Sequence, residues 1–175
     1  MSRKQAYLRT VDAPAGPFTF ATDRTGAVIY ARFDKGNHCV SFEEELESRG
    51  YIPGRASGIT NPVARQVHEY TRGERRVFEL LISPVGTAWQ RSVWSALREI
   101  PFGQTRTYSE LAATVGKPGA ARAAGRANAA NRIPLFVPCH RVVGAGGELT
   151  GFAGGIHLKE RLLDHERKAS RGNGL

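Results

Sequence analysis

The sequence is short of cysteine, of long apolar runs and, in one half, of acid. Only two cysteines occur among 175 residues, Cys39 and Cys139. Neither has a partner at metal-ligand spacing, so no structural zinc, no other metal and no cofactor is expected. A single disulfide between the two stays open on count alone. No stretch approaches the length of a membrane span, and Met1 to Arg9 is polar, without the apolar core of a signal peptide. The expectation is therefore no membrane contact and a reducing, cytoplasmic setting that suits a reactive thiol. The shortage of acid is local. Residues 1–85 carry 12 basic and 10 acidic side chains, whereas residues 86–175 carry 13 basic and only 6 acidic. The second half is thus where a polyanion would bind. The length allows one good core or two small packed lobes.

What is present centres on Asn131 to Val142, N-R-I-P-L-F-V-P-C-H-R-V. The apolar run Ile133 to Val137 is long enough for a short buried strand, closed by Pro138. Its exit would set Cys139 at the floor of a pocket. His140 and Arg141 follow at once, and two proton-accepting or cationic groups beside a thiol favour the thiolate. Adjacent residues on an extended segment point to opposite faces, so His140 reaches the sulfur only if the chain turns there. Without such a turn Cys139 is an ordinary small core residue.

The expected fold class is α/β: a small N-terminal α/β lobe over residues 1–85, then a mostly helical domain over residues 86–175. Residues 1–17 are poorly patterned. Phe18 to Ala21 and Val28 to Phe33 are short apolar runs separated by a hairpin turn at Asp23 to Gly26. Glu43 to Glu47 reads as a solvated acidic face, and Cys39 as a core or half-exposed residue. Gly50 to Pro62 reads as a loop. Asn61 and Pro62 start a helix that ends near Gly73, and Val77 to Ile82 predicts a strand. Ser83 to Ala88 is the expected junction.

In the second half, Trp89 to Glu99 predicts a helix with Val93, Leu97 and Ile100 inward and Arg91 and Arg98 outward. Thr107 and Glu110 form a capping box for a helix over Tyr108 to Val115 that buries Leu111, Ala112 and Val115. A Gly-bearing turn leads to a second helix, Ala120 to Ala130, made almost wholly of Ala, Gly, Arg and Asn. This is a helix-turn-helix pattern. Small side chains at and around Ala121 let the backbone approach phosphates, and Arg122 and Arg126 share a face. Longer side chains that would read base edges are scarce, so double-stranded DNA is expected to be bound with little sequence preference. The last helix, His157 to Arg167, carries Leu158, Leu162 and either His165 or Glu166 at helical spacing, with Glu160 a further candidate, followed by a frayed tail.

From Trp89 to Glu166 the chain resembles the O6-alkylguanine-DNA alkyltransferases, also called methylated-DNA–protein-cysteine methyltransferases. The string P-C-H-R-V at Pro138 to Val142 matches that family's active-site signature. The resemblance implies a ribonuclease H-like N-terminal lobe and a monomer that repairs alkylated guanine in DNA, once per molecule. Cys139 would accept the alkyl group. His140 would draw its proton through a water, Glu166 would orient His140, and Asn131 would brace the turn. Arg122 would fill the place of a flipped nucleotide. Tyr108 would push at the neighbouring phosphate and donate to the leaving base. Arg126, Arg132 and Arg141 would add DNA contacts. Phe152, Ala153, Gly154, Val142 and Trp89 would line the guanine pocket, with Phe152 standing where relatives usually carry tyrosine. Two other readings of the same residues are a cysteine hydrolase, which would turn over, and a protein that binds alkylated DNA without chemistry.

Overall fold

One strand of the first unit is nearly silent in the sequence. In the computed structural model, which describes residues 4–34, 40–55 and 61–172, Lys4–Ala13 forms the ten-residue β1. Only Ala6, Val11 and Ala13 of it are buried, so residues 1–17 carry too little alternation to register as a strand. Its neighbours carry the signal instead. β2 (Gly16–Thr22) and β3 (Val28–Phe33) form the expected hairpin. In the turn, Asp23 Oδ1 accepts from the amides of Thr25 (2.8 Å) and Ala27 (3.1 Å), and Gly26 takes a positive φ of 82°.

The sheet order is β3-β2-β1-β4, with β1 antiparallel to β2 and parallel to β4 (Tyr51–Arg55). β4 corrects the expected loop from Gly50 to Pro62. Pro53 and Gly54 suggest a loop, yet an edge strand tolerates both because one side of its ladder has no partner. Phe18, Phe20, Val67 and Tyr70 are fully buried, the last two on α2 (Pro62–Thr71). Asn61 caps α2, its Oδ1 accepting from Val63 and Ala64. Val77 to Ile82 is not a strand: among its residues only Ile82 makes a bridge, to Val28. The Gln66 side chain takes both the amide and the carbonyl of Glu79, replacing ladder bonds, and Val77 and Leu81 stay about 70% exposed.

α1 (Phe42–Ser48) shows its acids to solvent, except Glu45, which bonds Tyr30 and pairs with Arg32 and Arg49. Cys39 lies outside the described residues, as does the part of the Gly50–Pro62 segment from 56 to 60.

The chain divides into compact units at Pro84 and Val85. The second unit begins with α3 (Ala88–Arg98), capped by a Thr87/Gln90 box, and buries Val93, Trp94, Leu97 and, just beyond it, Ile100. α4 (Tyr108–Thr114) carries the Thr107/Glu110 box, and α5 (Ala121–Ala129) follows a turn with positive φ at Gly116 and Gly119. These three helices pack on one another. Two indoles donate to α5 carbonyls, Trp94 to Ala127 (2.8 Å) and Trp89 to Ala123 (3.3 Å).

In Ile133 to Val137 all but the half-buried Pro134 are buried as expected, but the segment is not a strand. It is a tight turn, closed by a Pro134–Val137 bridge, with Leu135 at φ 73°. Holding a leucine there costs about 1–2 kcal/mol, which full burial of its side chain offsets. A 3-10 turn, Cys139–Arg141, then leads into β6 (Val142–Val143), paired in parallel with β5 (Arg106–Thr107). α6 spans Ile156–Gly172, so residues 168 to 172 are helical rather than frayed.

Candidate active site and nucleic-acid interface

Asn131 builds the turn at Cys139. Its Oδ1 accepts from Ile133 N at 3.0 Å and its Nδ2 donates to Val137 O at 2.9 Å, so one side chain ties both ends of the loop. Val137 O also accepts from Cys139 N, and Pro138 O accepts from Arg141 N. The chain therefore does turn at Cys139. Cys139 is a free, buried thiol.

Burial pushes the Cys139 thiol up to about 11, against the lowering effects of the Asn131 side chain and the Lys159 charge. The flanking cations do not make it a thiolate at rest, because the 3-10 turn sends Arg141 elsewhere and leaves His140 buried and uncharged. Burial also lowers the His140 value, opposed by Glu166.

Glu166 is the hub of this network. Its Oε1 lies 2.8 Å from His140 Nε2. Arg141 donates to both of its oxygens, from Nε at 3.2 and 3.0 Å and from Nη2 at 2.9 Å, and Gly103 N adds a bond of 2.9 Å. Burial would raise the carboxyl, but the His140 and Arg141 partners outweigh it and hold Glu166 well below the usual carboxylate range. Since His140 is neutral near pH 7, the charge that keeps Glu166 ionised there is Arg141's. An ionised carboxylate only accepts, so Nε2 carries the imidazole hydrogen and Nδ1 presents a lone pair. Among the described residues no group reaches that Nδ1.

Arg141 is the clear correction among the expected DNA contacts. It is buried, its guanidinium is taken up by Glu166 and by Ile100 O at 2.6 Å, and it stacks over Phe102 at 5.8 Å. A side chain committed in this way positions the carboxylate and cannot reach a phosphate.

Lys159 was missed. It is fully buried on α6, and its Nζ donates to Val142 O and to Thr150 O, the latter at 2.7 Å. It joins β6, just after Cys139, to the loop at 150–155, and its charge acts on Cys139. A signal existed: Lys159 falls on the same apolar stripe as Leu158, Leu162, Leu163 and Glu166. Tyr108 OH donates to the same Thr150 O, at 3.4 Å. Its ring lies over Gly125, where an added Cβ would sit 3.6 Å from it. Phe152 is half-buried beside Gly154, whose Cβ would come within 2.8 Å of the Phe152 ring and 2.7 Å of Leu158 Cδ1. Gly154 is needed for that packing. Ala153 is exposed and Val142 fully buried, so the expected pocket residues hold different depths. Trp89 gives its indole N–H to α5 rather than to a pocket.

On the helix-turn-helix, Arg122 and Arg126 stand exposed on α5, Ala121 is half-buried beside them, and Arg132 is exposed just after it. Arg106 and Lys117 are exposed nearby in sequence. Ala124, Ala127 and Asn128 form the buried face. Among the described residues no cluster of His, Cys, Asp or Glu could hold a metal ion, and no helix is long and apolar enough to cross a membrane.

A family model described as "6-O-methylguanine DNA methyltransferase, DNA binding domain" matches residues 88–168. The methylated-DNA–protein-cysteine methyltransferase of Methanosarcina acetivorans is 41% identical over 161 residues, covering 91% of this chain and 97% of that protein. The protein of the same name from Mycobacterium tuberculosis is 40% identical over 166 residues, 92% of each chain. A crystal structure of the Mycobacterium tuberculosis O6-methylguanine methyltransferase superposes with a TM-score of 0.80 at 38% identity, covering 94% of each chain. A structure from that organism in complex with DNA matches with a TM-score of 0.79 at 37% identity, over 93% of this chain and 94% of the other.

Proposed function

This chain belongs to the methylated-DNA–protein-cysteine methyltransferases, and on that premise we propose how its own residues divide the work. The protein repairs DNA by direct, stoichiometric transfer of an alkyl group from O6-alkylguanine to its active-site cysteine, and double-stranded DNA is its partner. The acceptor is Cys139. One observation supports this best: a buried thiol on a turn whose next residue is held by an ionised carboxylate at 2.8 Å while its other ring nitrogen faces no protein group.

In the resting protein the sulfur is a thiol. His140 Nδ1 draws its proton through a water, and the imidazolium that forms lies against Glu166. The thiolate attacks the alkyl carbon in line with O6. The S–C bond forms as the C–O6 bond breaks, and the electron pair leaves on the guanine, which takes a proton from a donor such as the Tyr108 hydroxyl. The thioether has no leaving group that water can displace, so each molecule acts once. Because O6 sits inside the base stack, the nucleotide is turned out first. Arg122 fills the gap, Tyr108 presses on the adjacent phosphate, and Arg126, Arg132 and the backbone at Ala121 hold the strand without reading its sequence. The guanine is received by Phe152, Ala153 and Gly154. The protein acts as a monomer in the cytoplasm, on the nucleoid where there is one.

Mass spectrometry after incubation with a duplex bearing one O6-methylguanine tests this. The expected result is a gain of one methyl group on Cys139, an equimolar endpoint, and no gain in Cys139→Ala. Catalytic turnover, or tight binding with no gain in mass, would overturn it.

A further inference from the structure

α5 is a helix of alanines and arginines with one buried amide. Asn128 is 3% exposed, on the face it shares with Ala124 and Ala127. A buried amide costs stability unless its polar atoms are paired, and an apolar residue of similar size would avoid that cost. Here the pairing is incomplete. Nδ2 donates to Cys139 O at 3.4 Å, a long bond, and Oδ1 has no partner among the described residues. A backbone carbonyl only accepts, so the NH2 end of the amide must face Cys139 O and Oδ1 points the other way.

Among the described residues of the second unit, only two buried side-chain atoms lack a partner: Asn128 Oδ1 and His140 Nδ1. Both belong to groups that flank the Cys139–His140 peptide. Both are acceptors, so they cannot satisfy each other. A water can satisfy them together, with one hydrogen to each. Its lone pairs are then free to accept from the Cys139 thiol.

We infer that Asn128 is a positioning residue whose Oδ1, with His140 Nδ1, fixes the direction of the water that carries the Cys139 proton. This rests on the reading that His140 draws that proton. In the step, the S–H proton passes to the water oxygen as the water's Nδ1-directed hydrogen passes to His140. The other hydrogen stays on the water, held in place by Asn128 Oδ1, so a thiolate and an imidazolium result and the water is restored. Without Oδ1 the water is free to turn a hydrogen toward the sulfur, which blocks transfer. The charged groups acting on this pair are Glu166 and Lys159 from α6 and Arg141 from the same turn, and none of them is altered by changing Asn128.

The test is Asn128→Leu, of similar volume, in the full chain. The readouts are the pH profile of Cys139 alkylation by iodoacetamide, transfer rates from the methylated duplex and from free O6-methylguanine, and the thermal midpoint. The profile should move up by about one pH unit and both rates should fall roughly tenfold, a fraction of the 100- to 10,000-fold typical of a general base. The thermal midpoint should fall only slightly, because the partner lost is one long bond to Cys139 O, and affinity for the duplex should not change. Asn128→Ser, which keeps an oxygen on the same face, should recover most of the shift. An unmoved pH profile, a loss confined to the duplex, or a folded Asn128→Ser no better than Asn128→Leu would overturn the inference. His140→Ala separates the two readings. If it shifts the profile and Asn128→Leu does not, only the role of Asn128 falls. If neither does, the proton route through His140 falls with it.

Discussion

The two units handle charge in opposite ways. In the first, arginines and acids meet where solvent still reaches them: Arg72 with Glu74 fully at the surface, and Arg75 with Glu69 and Glu79, and Arg32 and Arg49 with Glu45, partly covered. Water already solvates such groups, so pairing them contributes little. In the second unit acids are few, and the one that matters, Glu166, is fully buried between His140 and Arg141. There a partner is obligatory, since an unpaired interior charge is costly. The unit's other arginines face outward, where a polyanion can neutralise them. Scarcity of acid in residues 86–175 therefore has two effects: it leaves a basic exterior and confines carboxylate chemistry to one place.

The sharpest way to break this contrast is to remove one arginine from each unit. Arg141→Met should destabilise the protein by about 3–5 kcal/mol in denaturant titration, because it strands the Glu166 charge. Arg72→Met should leave the midpoint where it was, and equal effects would refute the comparison. Next in size is Arg122→Ala. Repair of duplex DNA should slow by about 10- to 100-fold relative to the reaction with free O6-methylguanine, as expected where an extruded nucleotide must be replaced. Equal losses on both substrates would refute the assignment of Arg122.

The pH dependence of stability gives a smaller effect with a fixed sign. His140 and Glu166 both titrate lower in the folded protein than in the unfolded chain. Unfolded imidazole takes its proton near about 6.5 and carboxyl near about 4.3. The stability they supply is complete above those values and is lost in turn as pH falls through them toward the folded-state values. Cys139 runs the other way. Its thiol titrates at about 11 when folded, so its contribution is complete below its unfolded value of about 8.5 and is lost as pH rises toward 11. Unfolding midpoints measured across pH should therefore fall at both ends, and a midpoint rising between pH 9 and 11 would contradict the burial of the sulfur. Smallest is Phe152→Tyr, which restores a hydroxyl on the pocket wall and should raise the transfer rate a few-fold. An unchanged rate would show that Tyr108 alone supplies the leaving base.

Local rules carried much of the fold. Thr107 with Glu110 and Asn61 with Pro62 mark helix starts because a cap is a contact between near neighbours in the chain. β1 and β4 were not legible for the complementary reason: a strand's stability lies in partners far away in sequence, and neither has strong alternation of its own. Val77 to Ile82 misled in the other direction, since apolar residues suit a strand but no ladder receives them beyond Ile82. At the site, the His140–Glu166 contact and the bracing of the turn by Asn131 were legible through a motif. Arg141 was not, because whether the residue after His140 faces outward depends on a 3-10 turn that Asn131 and Leu135 impose. Lys159 was hidden by the ordinary assumption that a helical lysine is solvated.

The protonated state of Cys139 has a bearing on survival in a chemically hostile cell. A repair agent with a single charge of ammunition must not discharge at random. Peroxides and stray electrophiles react with thiolates far faster than with thiols, and only where they can reach them. A sulfur that stays both hidden and protonated until a base lies against it is insured against premature oxidation, and every intact molecule remains available for the lesion it was made to meet.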